Sequence, residues 1–460
     1  MKFFLYILLP LALLAACRKD TLTNKDARLL LSADSVRFDT VFTNAGSTTR
    51  FFLIKNENRQ PIRISKVQLM GGSTSPFRMN VDGIAGTVVT DLEIEGNDSM
   101  YVFVSVNINP NADLQPFVLN DSIAVEWNNN RSFVQLEAWG QNARYLRNTV
   151  IRTNTVWDNT LPYVILGGLY VDTPATLTLQ PGTRVHLQAS APLVVDGSLV
   201  VNGTKTDSIT FQGNRLDLPY RNFPGSWPGI YFRGSSRNNV LTHAIIKNAY
   251  QGIIAEGPAP GGQPKVTLLN CILDNMYDAA LLGFNSSISA GNCLISNSGN
   301  NILLVYGGSY SFTHCTAVSY SNSFITHKSP VVVATNFTRQ NGQVITAPLQ
   351  ANFTNCIIWG SEGFVDNEIV VQREGTAPAN VVLQHVLFRA RTDPQHTSFT
   401  NVIRNTDPAF DSVDAGRRIF NYRLRAGSPA INRGMVTPLL TDLDGLPRVG
   451  LPDLGCYERQ

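Results

Sequence analysis

Asn270-Cys271-Ile272-Leu273, Asn292-Cys293-Leu294-Ile295 and His314-Cys315-Thr316-Ala317 repeat one pattern: a polar residue, a small one and a mostly apolar pair. The interval is constant, with 293 − 271 = 22 and 315 − 293 = 22. The pattern continues upstream at His243-Ala244-Ile245-Ile246 and downstream at Asn355-Cys356-Ile357-Ile358. A further copy, Gln384-His385-Val386-Leu387, departs by placing His at the small position. The outer intervals (271 − 244 = 27, 356 − 315 = 41, 385 − 356 = 29) are those that insertions such as Pro258-Ala259-Pro260-Gly261-Gly262 produce. A coil of this length cannot bury its own apolar face, so neighbouring coils must stack into a solenoid with a continuous core.

Short apolar strands separated by glycine turns precede the repeat: Leu177 to Val185, Leu193 to Thr204 and Ser208 to Phe211. Four of the six cysteines then share one column, and no CxxC or clustered-His spacing accompanies them to present ligands to a metal ion. The expected arrangement is a structural ladder, with Cys271, Cys293, Cys315 and Cys356 as a stacked interior column. Asn270, Asn292, His314 and Asn355 are then hydrogen-bonded along the stack. Rungs about 4.8 Å apart lie within disulfide reach, which leaves a bridge from Cys293 to Cys271 or Cys315 open. Cys456 has no expected partner.

Two further stretches carry a resemblance. "LTLQPGTRV", "LVVDGSLVVNGT", "DSITFQG" and "SWPGIYFRGSS...NNVLTHAIIKNAYQGI" resemble the right-handed parallel β-helix proteins of the pectate-lyase-like superfamily. The tail "DPAFDS...YRLRAGSPAINRG...TDLDGLPRVGLPDLGCYE" is similar to a C-terminal module found on many such β-helices of secreted and lipid-anchored bacterial proteins. The stretch from Asn322 to Gln350 is the main gap in the likeness. The resemblance implies a fold and leaves the activity open, because this fold carries lyases, hydrolases, adhesins and proteins with no known activity.

The N-terminal third reads differently. Met1-Lys2 and the apolar run Phe3 to Leu13 form a signal peptide too short to span a membrane. Leu14-Ala15-Ala16-Cys17 resembles the lipobox of bacterial lipoproteins, which implies a mature chain beginning at a lipidated Cys17 and an anchor in the membrane. Arg18-Lys19-Asp20 loosely resembles the signals that send lipoproteins to the outer face of the outer membrane. From Ser32 to Gln141, about seven short alternating runs bounded by turns such as Asn44-Ala45-Gly46 fit a β-sandwich of immunoglobulin type. Their order resembles small Ig-like domains related to the ASH group, in "FDTVF", "NEN", "SPFRM", "GNDSMYVFVSVNINP" and "VQLEAWG". The expected organisation is all-β: signal peptide 1–16, lipidated tether 17–31, Ig-like β-sandwich 32–147, parallel β-helix 148–400 and C-terminal module 401–460.

Composition agrees with this class. Of the 460 residues, 43% are hydrophobic and only 15% charged, with 35 Gly and 24 Pro, so turns are frequent and long amphipathic helices few. The formal charge of +3 is too balanced for an electrostatic nucleic-acid binder. Neither a P-loop nor a dinucleotide fingerprint is present, so no organic cofactor is expected.

For function, the hydrolase set "NTD...DD...GHG...RIK" and the lyase signatures "DH" and "RxPxxR" are missing, and Arg215 to Arg221 does not supply the latter. Asp274, Asp278 and Asp366 do not form one column. His327-Lys328 with Arg339 offers a base, but such a pair in a loop reads better as a solvated turn. Asp442-Leu443-Asp444-Gly445 has the oxygen spacing of a Ca²⁺ loop fragment and reads as a turn, with Asp442 and Asp444 the weak metal candidates. Trp227, Tyr231, Tyr306, Tyr310, Tyr320 and Trp359 lie at or near turns and are the candidate sugar-stacking rings. The expected role is a lipid-anchored outer-membrane or surface protein, without catalysis, that recognises a polysaccharide or a cell-surface protein. The alternatives are a uronate-polymer lyase using Ca²⁺ and a purely structural, adhesin-like protein.

Overall fold

In the computed structural model the described residues are 21–22, 26–43, 47–109, 114, 116–361 and 363–460. Cys17, the lipobox, the charged residues after it and the Asn44-Ala45-Gly46 turn fall outside them. The chain divides into two compact units between Asn142 and Ala143.

The first unit consists of two five-stranded sheets around one core. One sheet has the order Leu29–Leu31, Arg50–Asn56, Asp98–Val106, Phe77–Val81, Ile84–Ala85; the other has Ser35–Phe42, Asn130–Gln141, Phe117–Trp127, Ile62–Leu69, Val88–Ile94. All pairings are antiparallel except Ser35–Phe42, which runs parallel to Asn130–Gln141. Alternation selects the buried side: Ile62 and Ile64 point inward, then Val67 and Leu69 do. That change of phase requires an irregularity, and the register shifts between Ile64 and Lys66. The expected tether is corrected at its distal end. Leu29–Leu31 pairs with Ile54 to Asn56, Ala27 and Leu29 are buried, and the Ala27 carbonyl accepts the Trp127 indole N–H at 2.9 Å. Apolar side chains next to an open core edge are drawn into it rather than left in water.

The second unit is a parallel β-helix. Its 26 strands form one continuous sheet folded into three faces, here called A, B and C, visited in that order on each coil. One coil reads Leu294–Ser296 on A, Asn300 to Val305 on B, Gly308 to Thr313 on C, and Thr316–Ser319 back on A. The ladder of strands already begins at Arg144–Ile151 and ends at Ile403–Arg404, so the coils extend beyond 148–400 at both ends. Inward residues stack into rows that exclude water, as where the rings of Phe312 and Phe353 lie parallel at 4.7 Å. Insertions occupy corners: 214–229 and 320–331 between A and B, 257–265 and the hairpin Phe337–Gln340/Gln343–Thr346 between B and C. The last A–B and B–C insertions account for the 41-residue interval and for the unpatterned stretch from Asn322 to Gln350.

Residues 405–460 do not form a separate body. After the hairpin Phe410–Asp414/Ile419–Leu424, the chain covers the outer side of sheet A. Tyr422, Leu443, Leu454, Cys456 and Tyr457 cluster there with Leu294, Val318, Ile357, Trp359 and Leu387.

Candidate functional site

The repeated Asn and His residues form the C–A corner. His243, Asn270, Asn292, His314, Asn355, His385 and Asn401 all have φ between 47° and 54°, the left-handed region that Asn and His adopt more readily than other side chains. His385 therefore belongs to the polar column, and Val386 takes the interior place of the cysteines. The departure read from Gln384-His385-Val386 is thus corrected, because the sixth copy is in register. The Asn292 amide donates to Asn270 Oδ1 at 3.1 Å, and the Asn355 amide meets His314 Nε2 at 2.9 Å.

The column also holds the C-terminal segment. Asn292 Nδ2 donates to the Thr441 carbonyl, Asn355 Nδ2 to the Met435 carbonyl, and the Met435 N–H donates back to Asn355 Oδ1. Arg448, 3% exposed, pairs with Glu458 at 2.9 Å and donates to Asn292 Oδ1 at 3.0 Å. Inside the corner, Cys271, Cys293, Cys315 and Cys356 are buried free thiols, so the bridge left open from the sequence is not formed. Their sulfurs face carbonyls of their own and the preceding coil, as Cys271 Sγ does with Leu241 O at 3.2 Å and Leu269 O at 3.3 Å. Burial pushes the thiols of Cys293 and Cys356 well above their usual range and that of Cys456 up to about 12.

A second asparagine column lies at the A–B corner, where Asn248, Asn275 and Asn297 have φ of 63°, 63° and 50°. Asn275 Nδ2 donates to Asn248 Oδ1 at 2.7 Å. The two amides also donate to the carbonyls of Asn222 and Arg221, which fixes the 214–229 insertion along the column. The 320–331 insertion approaches it, and Phe223 and Phe324 meet edge to face at 5.2 Å. Between the 320–331 insertion and the corner lies a cleft of about 350 Å³ lined by Tyr250, Tyr277, Asp278, Asn300, Phe324 and Lys328 among others. Tyr250 and Tyr277, on successive coils, stack at 5.4 Å and are 47% and 58% exposed. Beside them Asp278 is held by two amides, Gln251 Nε2 on Oδ2 at 2.7 Å and Asn300 Nδ2 on Oδ1 at 2.9 Å. Flat rings, an oriented carboxylate and an ammonium group together match the C–H faces and hydroxyls of a saccharide. Asp278 is the one carboxylate among the lining residues, whereas glycoside hydrolysis uses a pair.

Three of the ring candidates are corrected. Trp227, Tyr310 and Trp359 are buried, since Trp227 donates its indole N–H to the Lys247 carbonyl, Tyr310 bonds to Gly307, and Trp359 lies under the terminal segment. Tyr231 stands half-buried on sheet B, Tyr306 packs on Phe284, and Tyr320 on Tyr422. Large rings near turns complete cores as readily as they face water. The pair that does face the cleft had its own signal, Asn248-Ala249-Tyr250 and Asn275-Met276-Tyr277, each Tyr two positions after a left-handed Asn.

The remaining candidates also find structural partners. His327 is not in a solvated turn: its Nε2 lies 3.0 Å from Glu368 Oε1, with both side chains out of solvent, and this pins the 320–331 wall. Arg339 pairs instead with Glu374. Asp442 accepts the N–H groups of Leu446 and Glu458, and Asp444 is bound by Lys205 and Arg423, so neither offers free oxygens for Ca²⁺. Asp274 is half-buried on sheet A against Ser296 and Asn297, and Asp366 pairs with Arg391.

No curated protein matches the chain. Among solved structures, a family 123 glycoside hydrolase from Clostridium perfringens aligns at 12% identity over 25% of each chain with a TM-score of 0.18. The chain thus spans about a quarter of that protein, and the likeness says nothing of its own activity. A family model described as the right handed β-helix region matches residues 138–317, so the sequence family and the observed coils agree on an all-β chain whose larger unit is a parallel β-helix.

Proposed function

We propose that this is a cell-envelope protein, anchored through lipidated Cys17 in the outer membrane, that recognises a saccharide without transforming it. The membrane-proximal sandwich, an Ig-like domain in this reading, acts as a spacer. The observation that carries the reading is the A–B corner cleft, where the exposed Tyr250–Tyr277 stack adjoins Asp278 between its two amides. Both oxygens of Asp278 already accept hydrogen bonds, which suits an acceptor for sugar hydroxyls better than a proton donor. The terminal segment and sandwich contribute placement, not chemistry. The test is affinity electrophoresis of the full chain in detergent against neutral and uronic-acid polysaccharides, with absorbance of unsaturated product read in parallel, with and without Ca²⁺. Retardation without product by at least one polysaccharide of the panel, lost at least tenfold for that polysaccharide in Tyr250→Ala/Tyr277→Ala, is the expected result. Product from any polyuronate would refute the non-catalytic reading, and silence against every polysaccharide would refute saccharide recognition.

A further inference from the structure

The three outer faces of the β-helix differ in chemistry. Sheet A is covered by residues 405–460 over its later coils, from Ile272 to Ile403. The outer row of sheet B is apolar, with Val194, Tyr231, Ile254, Leu282, Leu303 and Val333 in register. Sheet C is neither covered nor apolar. Across four coils its outward residues run Ser287, Ser309, Gln350, Asn380 in one row, and Ser289, Ser311, Asn352 lie beside them in the next. They form the floor of an open groove of about 620 Å³, closed at one end by the 258–264 insertion and edged by Pro348 and Pro378.

Two properties set this groove apart. None of its lining residues carries a formal charge, in a chain with 37 basic and 34 acidic residues. In addition, the side chains of Ser289, Ser309, Ser311, Gln350, Asn352 and Asn380 make no intramolecular hydrogen bond among the described residues. Ser287, by contrast, is taken up by the backbone of Lys265 and Gln263. The groove thus offers donors and acceptors at coil spacing, about 4.8 Å per coil and about 14 Å over the row, comparable with one sugar ring per coil. Proline edges supply apolar contact for ring C–H groups. The floor is built on paired strands, so little ordering is needed on binding.

We propose that this groove is a second binding site, distinct from the corner cleft, for an uncharged, hydroxyl-rich chain: a neutral glycan. A uronate or sulfated chain finds no cation there to offset its desolvation, and a basic chain finds no acid. Neutral contacts carry a second signature, because their affinity does not fall as salt rises.

The experiment is isothermal titration of the full chain in detergent with hexasaccharides of glucose, mannose and xylose, and with hexagalacturonate, at low and high salt. Ser311→Lys places a charged side chain on the floor of the groove, and Gln350→Ala/Asn352→Ala removes its amides from two adjacent coils. The expected result is salt-independent binding of a neutral hexasaccharide, weakened at least tenfold by Ser311→Lys and at least threefold by the double alanine variant. Tyr250→Ala/Tyr277→Ala, which empties the corner cleft of its rings, leaves this binding within twofold. Should Ser311→Lys fail to fold, the double alanine variant decides. The proposal is overturned if no neutral hexasaccharide binds at millimolar concentration, if hexagalacturonate binds more tightly, or if the tyrosine variant abolishes binding. In that last case the saccharide site at the corner would stand and the groove would not.

Discussion

Replacing Arg448 by methionine tests what holds the C-terminal segment on sheet A. The guanidinium and the Glu458 carboxylate are 3% and 4% exposed and 2.9 Å apart. Arg448 also donates to Asn292 Oδ1 at 3.0 Å and to the Gly455 carbonyl at 3.1 Å. Methionine keeps most of the side-chain length and removes the charge, so the Glu458 carboxylate keeps only the Asp453 N–H without a counter-charge and the Asn292 oxygen loses its donor. Breaking a buried pair on one side costs about 3–5 kcal/mol. The cost falls on the docking of residues 430–458, because the coils beneath keep their strand pairing. At about 1.4 kcal/mol per factor of ten, amide exchange of Leu454 and Cys456 should accelerate by about two to four orders of magnitude. Exchange at Leu273 and Ile295, inside sheet A, should change far less. Hydrogen exchange read by mass spectrometry supplies both numbers. Arg448→Met/Glu458→Gln should recover part of the loss, since the uncompensated charge is gone. An acceleration below tenfold at Leu454 and Cys456, or an equal one at Leu273, would refute the argument that this pair fastens the segment.

Other outcomes follow from the same coordinates. Burial, with the Arg448 charge nearby, lowers the pKa of His314 to about 3, and burial lowers that of His186 to about 4. Both stay neutral in the folded protein, so the stability they contribute is present above the unfolded value near 6.5 and is lost as pH falls toward 3, on the order of 5 kcal/mol for His314. His314→Asn, the residue found elsewhere in its column, should flatten that acid limb in urea titrations at successive pH values; an unchanged limb would exclude His314 as its source. A methyl group at Gly360 would sit 2.3 Å from both Glu368 Oε1 and His327 Nε2. Gly360→Ala should therefore cost about 1–3 kcal/mol and make the 320–331 segment protease-sensitive, whereas wild-type cleavage rates there would contradict the pinning role of His327. In the first unit the buried Asn56 amide serves the carbonyls of Gln60, Ile94 and Glu95, so Asn56→Ala should lower that unit's unfolding free energy by about 1–3 kcal/mol in denaturant melts.

The solenoid was legible because stacking imposes a period. The Asn/His column and the cysteines behind it recur at 22 residues since each coil must return the same turn and the same small side chain to the same place. The alternating strands of the first unit were legible for the same kind of reason. The corner cleft was not. Tyr250 and Tyr277 are 27 positions apart, and their companions Asn300 and Phe324 come from later coils, so beyond the shared Asn-x-Tyr spacing nothing in linear order groups the lining of the cleft. Three of the rings chosen instead, Trp227, Tyr310 and Trp359, are buried, because proximity to a turn does not separate a ring that fills the core from one that, like Tyr277, faces water. His385 was misplaced by one position because Gln384 was matched to the polar place of the pattern, whereas the left-handed backbone of that place belongs to His385.

Linear order was sufficient for the properties that repeat: the β class, the coil, the left-handed polar corner and the buried thiols, each set by a local rule applied once per turn. Tertiary structure decided what occurs once. It placed residues 405–460 over sheet A, paired His327 with Glu368 and Arg448 with Glu458, and left sheet C open with an uncharged floor. Those outcomes depend on which surfaces remain unburied after the coils have stacked, a property of the assembled solenoid that no single coil carries.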